Sequence, residues 1–558
     1  MADDLLASLA LAARDRALGL GSEGAAAAAE RARGHRGLMA MVTAAVVAGA
    51  DDADPLLEAA AGGWLGELEA LQEPTGLFSS GDNLASPPDS AFTVSDGVLA
   101  LTLLRRRSLW PGVGERVEAV LRRALPALVT GGVHTPNHRW EIAGALAGLG
   151  TLVDAPEALE RAREWLAEGI DVDADGIYSE RSPIYAAYVS NPSLLTLAAA
   201  LGRDDLTDVV HANLHAQLDL TTPDGVVETV HSRRQDQKDE SFPLGPFLDQ
   251  LARFAAGCAR CRDATRRSAS AEGTDPVHAT ARALLDDDVR AGFAAAGHAA
   301  GAGEPGPAEA GERWFAGSRL LRRWSGDTWA TVYGGSDVPA SGRIASGLAC
   351  NPTFLRTGLG GVGVRSARLS RDFFGLGPFR PTSAERDGDR VVLREQVSAS
   401  YYQPLEAARR LDDGAYALEF EGRFAASMAF SQRRRDVVRL ETEIALDLAD
   451  DGVVLAITTH GLAAPHALEL ALPWDCAVRG ADDLGDGRFH LVTGAADVVG
   501  PDAMLHVEQP TGGDPAAPPV YRPGEAYEFL GGTDALAGPR LYLTWSSPGT
   551  TTVRIRRA

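Results

Sequence analysis

The sequence predicts a multidomain α and β chain: an N-terminal (α/α) toroid over residues 1–298, a linker at 299–312 and a C-terminal antiparallel β-sandwich domain over 313–558. Three observations carry this. At 558 residues the chain exceeds what one hydrophobic core usually organises. Its first half shows apolar residues at three and four spacing, the period of a helix face, and its second half alternates at period two, the mark of a strand with one buried face.

In order along the chain, the helical period covers Ala91–Leu104, Val117–Leu128, Ile142–Leu152, Ala158–Leu166, Leu194–Leu201 and Leu206–Leu220. Breaks at Leu149-Gly150, Leu201-Gly202 and Pro223-Asp-Gly225 are short, so the pattern reads as helical throughout, in hairpins. No strict repeat is visible, which favours a closed toroid over a regular solenoid. Ala299–Glu312 is rich in Ala, Gly, Pro and Glu without apolar periodicity, as a linker is. Beyond it, Thr328–Tyr333, Tyr416–Phe420 and Arg540–Trp545 predict strands, and Glu441–Asp450 with Val453–Thr459 predicts a hairpin at Asp451-Gly452. Asp387-Gly388, Asp413-Gly414 and Asp486-Gly487 repeat that turn chemistry.

A formal net charge of −23 argues against nucleic acid or an anionic membrane as a general partner. An anionic ligand can still bind where arginines concentrate, as at Arg233-Arg234, since guanidinium pairs a carboxylate through two parallel hydrogen bonds. Lys238 is the single lysine. The acidic start and the shortness of the apolar run Leu38–Ala50 lead to the expectation of a cytoplasmic protein, and four scattered cysteines agree with a reducing compartment. Cys258-x-x-Cys261 has no second Cys or His pair near it in sequence and reads as incidental.

Three polar stretches stand out from the Ala- and Leu-rich helical half. In Thr135-Pro-Asn-His-Arg-Trp-Glu141, Thr135 is a natural N-cap and Pro136 a natural first helical residue, which puts Asn137 and His138 in the opening turn, at the positive end of the helix. Arg139 and Trp140 follow; Trp140 is either a platform for a sugar ring or core. Asp171 to Ser182 imitates a calcium loop through Asp171, Asp173, Asp175 and Gly176, but its twelfth position is Ser182 where a bidentate Glu is needed, so a turn into a helix is the better reading. Arg181, Tyr185 and Tyr188 come next. The third stretch, His231-Ser-Arg233-Arg234-Gln235-Asp236, offers guanidinium for carboxylate and amide or carboxylate for hydroxyls, or else is a solvated charge run.

Asn-His at a helix start, followed by Asp175-Gly-Ile-Tyr-Ser-Glu-Arg-Ser-Pro-Ile-Tyr185, resembles the heparinase II/III-like polysaccharide lyases and their oligoalginate lyase relatives. The resemblance implies a helical toroid with a C-terminal β domain and β-elimination on a uronate glycoside. It implies that Asn137 neutralises the sugar carboxylate, that His138 assists or removes the C5 proton, and that Tyr185 is the base, the acid for the departing C4 oxygen, or both. A phenol near pKa 10 needs help to ionise, which Arg181 or Arg234 would give. Arg139, Trp140, Arg181, Tyr188, Arg233, Arg234, Gln235 and Asn351 are the expected substrate contacts. Relatives bring another histidine from early in the β domain, yet Trp329 to Phe379 contains none, and His460, His466, His490 and His506 come later. Arg343 or Asn351 is the candidate in its place. No cofactor is expected, and the structural metal of some relatives cannot be assigned to residues here.

Two other readings compete. A glycoside hydrolase would use two carboxylates among Glu141, Asp175, Glu180, Asp224, Glu228 and Asp236. A carbohydrate-binding homologue would need no chemistry at all. The expected partner is an anionic oligosaccharide, with oligomeric state undetermined.

Overall fold

The computed structural model describes residues 2–22, 34–238, 242–298, 310–492, 494–511, 513–521 and 524–558. The chain packs into two compact units, residues 1–227 with 241–306, and residues 228–240 with 307–558. The predicted linker lies outside the described residues up to 309. Its last residues, Gly311 and Glu312, already belong to the strand Gly311–Phe315.

The first unit is a ring of helical hairpins. Its helices are α1 (Ala2–Ser22), α2 (His35–Gly49), α3 (Pro55–Leu71), α4 (Pro87–Arg106), α5 (Pro111–Thr130), α6 (Pro136–Val153), α7 (Pro156–Leu166), α8 (Pro183–Leu201), α9 (Asp204–Leu220), α10 (Leu248–Ala255), α11 (Ala259–Ser268), α12 (Pro276–Leu285) and α13 (Asp287–His298). All six segments with a helical apolar period lie inside these helices. Many of the helices begin with proline in the first turn, where the missing N–H costs nothing because it would have no partner in the helix.

α2, α4, α6 and α8 pack in succession, while α1 lies against α2, α12 and α13, and α12 against α2 and α4, so the two ends of the unit meet and the ring closes. α6 is hemmed in on several sides, by α4, α5, α7 and α8. From Ile142 onward its buried residues are accordingly Ala, Gly, Leu, Ile and Val, and Gly144 lets α8 approach so closely that a Cβ there would sit 3.0 Å from Ser193 Cα. The reading of this half as helical throughout needs correction. Phe78–Ser80 pairs with Asn83–Ser86 and Val226–Val227 with Phe242–Pro243, strands too short for their period to register.

α8 opens with a single α-turn, Pro183–Tyr185, runs as a π-helix over Ala186–Ser190 and returns to α-geometry at Asn191. By length and composition this helix is apolar enough to cross a membrane, but half of it is buried inside the unit and its Asn191 is fully buried in a polar network. It is a core helix of the ring.

The second unit is a β-sandwich. An eight-stranded sheet runs through Arg390–Tyr402, Arg435–Ala449, Gly452–Gly461 and Gly549–Arg557. A nine-stranded sheet runs through Thr328–Tyr333, Leu355–Leu359, Gly363–Arg371, Pro465–Ala471 and Arg540–Ser546. Pairing is antiparallel except where Arg488–Leu491 joins Arg540–Ser546 in parallel. Residues such as Val391, Ile444, Leu455 and Val553 from the first sheet and Leu355, Leu369, Leu468 and Leu543 from the second make one core between them.

The predicted hairpin forms with Ala449 opposite Gly452, and Asp486-Gly487 turns the chain between Gly485 and Arg488 with both residues at positive φ, as a tight hairpin turn requires. The strand expected at Tyr416–Phe420 does not form: only Glu419–Phe420 pairs, with Ala425–Ala426. Leu418 and Phe420 are 72% and 69% exposed, so the alternation has no inner face to bury.

The close approach at Gly144 offers a direct check on the packing that holds α6. Gly144→Val is expected to lower stability by about 1–3 kcal/mol, because the added methyls must push α8 away from α6. Urea unfolding of the two proteins measures it, and an unchanged midpoint would show that the approach is slack.

Candidate active site

Thr135 has the extended backbone of an N-cap residue, with Pro136 first in α6, but its hydroxyl does not cap the helix. It accepts instead from Asn137 Nδ2 at 3.2 Å, and the same amide donates to Glu180 Oε1 at 3.0 Å. Asn137 and Glu180 are both buried. Asn137 Oδ1 is buried too and has no hydrogen-bond partner among the described residues. An amide oxygen accepts and cannot donate, so the side of Asn137 left open suits a proton-bearing group such as a carboxylic acid or hydroxyl.

His138 is buried with its ring edge against His134 at 4.7 Å between centroids and near Phe92 at 6.3 Å. Arg36 lies 3.7 Å over the Phe92 ring and pairs with Asp89, bringing further charge to this end of α4 and α6.

One turn into α6, Glu141 falls on the face of Asn137 and His138. Its carboxylate accepts from Ser95 Oγ at 2.7 Å and Ser193 Oγ at 3.4 Å, tying α6 to α4 and α8. Burial pushes its pKa up to about 7; Ser95 opposes this, the Asp96 charge adds to it, and Arg36 and Ser193 oppose it. Asp96 in turn pairs with His278, held between Asp96 at 2.9 Å and Asp275 at 2.8 Å. In the sequence, Glu141 and Glu180 are candidates only as hydrolase carboxylates. The four-residue spacing of Asn137 and Glu141 signals that these two share a face, and nothing local signals the place of Glu180.

The loop before Tyr185 is built by its own carboxylates. Asp173 accepts from the backbone N–H groups of Asp175 and Ile177, while Asp171 accepts from Trp140 Nε1 at 2.8 Å and from Ser179 Oγ. These oxygens are therefore engaged in a turn, as the sequence favoured over a calcium loop. Gly176 has φ +83°, and a Cβ there would stand 2.8 Å from Ala212 O of α9, so only glycine lets the loop dock. Asn213 of α9 donates to Gly176 O at 2.9 Å and accepts from Asn191 Nδ2, which also donates to Gln250.

Tyr178 belongs to this network. Its hydroxyl donates to Asn191 Oδ1 at 2.7 Å, and burial, aided by the Asp171 charge, raises its pKa well above a free phenol. Tyr185 stands elsewhere, at the junction between the capped α-turn and the π-helix, half-buried, its N–H bonded to Ser182 Oγ at 3.1 Å. π-segments often mark functional positions because the widened turn re-aims the side chains around it. Arg181 is half-buried with positive φ, and Tyr188 is 51% exposed with its ring edge against Phe242.

Several expected substrate contacts are engaged otherwise. Trp140 is 1% exposed and hydrogen-bonded to Asp171, so it is core and cannot stack on a sugar. Arg139 points to the other side of α6, paired with Glu168 and Asp171 over the Trp140 ring.

Arg233, Arg234, Gln235 and Asn351 belong to the second unit. Arg233 makes a two-point pair with Asp337 at 2.8 and 2.9 Å, which occupies the fork meant for a ligand carboxylate. Arg234 is half-buried and Gln235 exposed. Asn351 bonds with Gln237 through its backbone N–H and its Nδ2, and Gln237 also accepts from Cys350 N–H, so Asn351 stitches residues 228–240 to the start of the sandwich. Arg343 is exposed. Glu228 is buried between Arg356 and Thr331, and although burial works against its charge, Arg356 and Arg322 hold its carboxyl below the usual range.

No family model matches the sequence, and no curated protein does. Solved structures do match in fold. A heparinase III aligns over 94% of this chain and 77% of its own at TM-score 0.51 and 11% identity. A mutant chondroitin AC lyase of Streptomyces coelicolor A3 aligns over 98% and 79% at 0.50 and 12%. A Paenibacillus xanthan lyase aligns over 100% of this chain and 57% of its own at 0.50 and 10%. The chain therefore has the heparinase-like polysaccharide lyase fold, a helical toroid followed by a β-sandwich.

Glu141 supplies a pH test of this geometry. A carboxyl with pKa about 7 folded and about 4.5 unfolded stabilises the protein fully below pH 4.5, and that contribution is lost as pH rises to 7. Glu141→Gln is expected to gain on the wild type by roughly 3 kcal/mol over this interval, read from urea unfolding at both ends. A difference that does not change with pH would mean that Glu141 ionises normally.

Proposed function

We propose that the protein is a lyase that cleaves uronate-containing oligosaccharides by β-elimination, with its chemistry on the α6 and α8 side of the toroid. One observation carries the reading: Asn137, His138 and Glu141 share a buried face at the start of α6, and Asn137 keeps a buried oxygen without a partner among the described residues. Three neighbours of the same fold are named as a heparinase, a chondroitin AC lyase and a xanthan lyase, which supports the reaction type.

The C5 proton of a uronate is barely acidic while the adjacent carboxylate keeps its charge. In the proposed reaction a base removes that proton, its electron pair becomes the C4–C5 double bond, the C4–O bond breaks and the departing oxygen takes a proton. With Asn137 Nδ2 bound to Glu180, its open oxygen holds the sugar carboxyl in its protonated form, which removes the charge that would oppose deprotonation. His138 shares the same turn and assists in holding that carboxyl. Tyr185 is the base and then the acid, and Tyr178 is not, because its phenol is locked onto Asn191 and kept protonated.

A hydrolase reading has one observation in its favour, since Glu141 near pKa 7 would suit a general acid with Glu180 as its companion. One assay separates the two. Elimination creates a conjugated double bond that absorbs in the ultraviolet, and hydrolysis does not. Incubation with uronate oligosaccharides is expected to raise that absorbance, and Tyr185→Phe to reduce turnover by about 10²-fold or more while substrate still binds. New reducing ends without absorbance would favour hydrolysis, and full activity in Tyr185→Phe would remove the tyrosine from the mechanism.

A further inference from the structure

We propose that His211, His215, Cys258 and Cys261 form a zinc site within the helical unit, remote in role from the uronate chemistry. In the sequence, Cys258-x-x-Cys261 is incidental for want of a second ligand pair, but folding supplies one. His211 and His215 are four residues apart on α9 and so lie one above the other on a single face, with ring centroids 4.6 Å apart. Cys258 is the N-cap residue of α11 and Cys261 lies in its first turn, which turns both sulfurs to the same side.

The four donor atoms lie within 4.8 Å of one another, and His215 Nε2 is 3.3 Å from Cys258 Sγ. Zinc bonds of about 2.0–2.1 Å to nitrogen and about 2.3 Å to sulfur place tetrahedral donors roughly 3.3–3.8 Å apart. The widest pair therefore has to close by about 1 Å, which side-chain rotation on two fixed helices can supply.

A second observation points to a ligand. His211 Nε2 is buried without a hydrogen-bond partner among the described residues, while its ring is held flat against Phe254 at 4.5 Å and 11°. An unmet imidazole nitrogen in that position is costly unless something accepts its lone pair or its proton. Two thiolates and two neutral imidazoles match the charge of a divalent ion, so the filled site carries no net charge. Arg260, between the cysteines, already pairs with Asp219 on α9 and leaves the sulfurs to the metal.

Four protein ligands leave no open position for water or substrate, so this is a structural clamp. It joins α9 to α11, and α9 is the helix on which Gly176 docks and from which Asn213 supports Asn191. The metal therefore steadies the loop that leads into Tyr185, without touching it.

The test uses the full chain, reduced and supplied with zinc, then desalted for elemental analysis. One zinc per chain is expected, retained by Cys476→Ser and lost by Cys258→Ser and by His215→Gln. Should those variants fold poorly, the wild type decides. Cobalt in place of zinc is expected to give tetrahedral visible bands with a thiolate charge-transfer band, and zinc to protect Cys258 from alkylation until a chelator is added. The site is overturned if reduced wild type binds no zinc, if a Cys258→Ser, Cys261→Ser double variant keeps its full complement, or if cobalt binds without thiolate charge transfer. Because the readouts are metal content and spectra, they stand apart from whether the enzyme is a lyase.

Discussion

The burial of a polar face on α6 is the constraint on which the rest of the candidate site depends. Inside the ring, Asn137 and Glu141 are removed from bulk water, so their polar groups need partners there. Glu180 meets the amide of Asn137 from the loop before α8, and Ser95 and Ser193 meet Glu141 from α4 and α8. Three neighbouring elements are thereby fixed in register with α6. The same burial lifts Glu141 to about pKa 7 and leaves Asn137 Oδ1 without a donor among the described residues.

Around that face the structure separates support from chemistry. Tyr178, Asn191, Asn213 and Gln250 form a connected polar network in which each side chain bonds to at least one other, and such networks fix one packing arrangement over its competitors. The network holds both ends of the segment from Gly176 to Asn191. Tyr185 sits between them, where the helix widens into a π-turn. Two tyrosines seven residues apart thus have opposite characters: one is buried and locked, the other stands half-buried at a helix junction.

The six helical segments and four of the five named strands were legible because burial selects for period, and period survives in sequence. Ala91–Leu104 and Ile142–Leu152 show it, as does Thr328–Tyr333, which matches its strand end to end. What period cannot carry was missed. Two-residue strands such as Val226–Val227 are too short to have one, and Tyr416–Phe420 has the alternation without a core to face. Among the site residues, Asn137, His138 and Tyr185 fall where cap and proline signals put helix starts. Trp140, Arg139 and Arg233 show the limit of reading residue type alone: each finds its partner inside the protein, and a sequence does not say which way a side chain turns. The two halves of the His and Cys cluster lie 43 residues apart at their closest, so neither signals the other.

The central claim is that the bond to C4 is broken by loss of a proton and not by addition of water. The most direct measurement is cleavage of a uronate oligosaccharide in oxygen-labelled water, with the products weighed by mass spectrometry. The two fragments are expected to sum to the mass of the substrate, one of them unsaturated, with no label introduced by cleavage. Fragments that together exceed the substrate by one water, with one labelled oxygen at the cleaved bond, would contradict it.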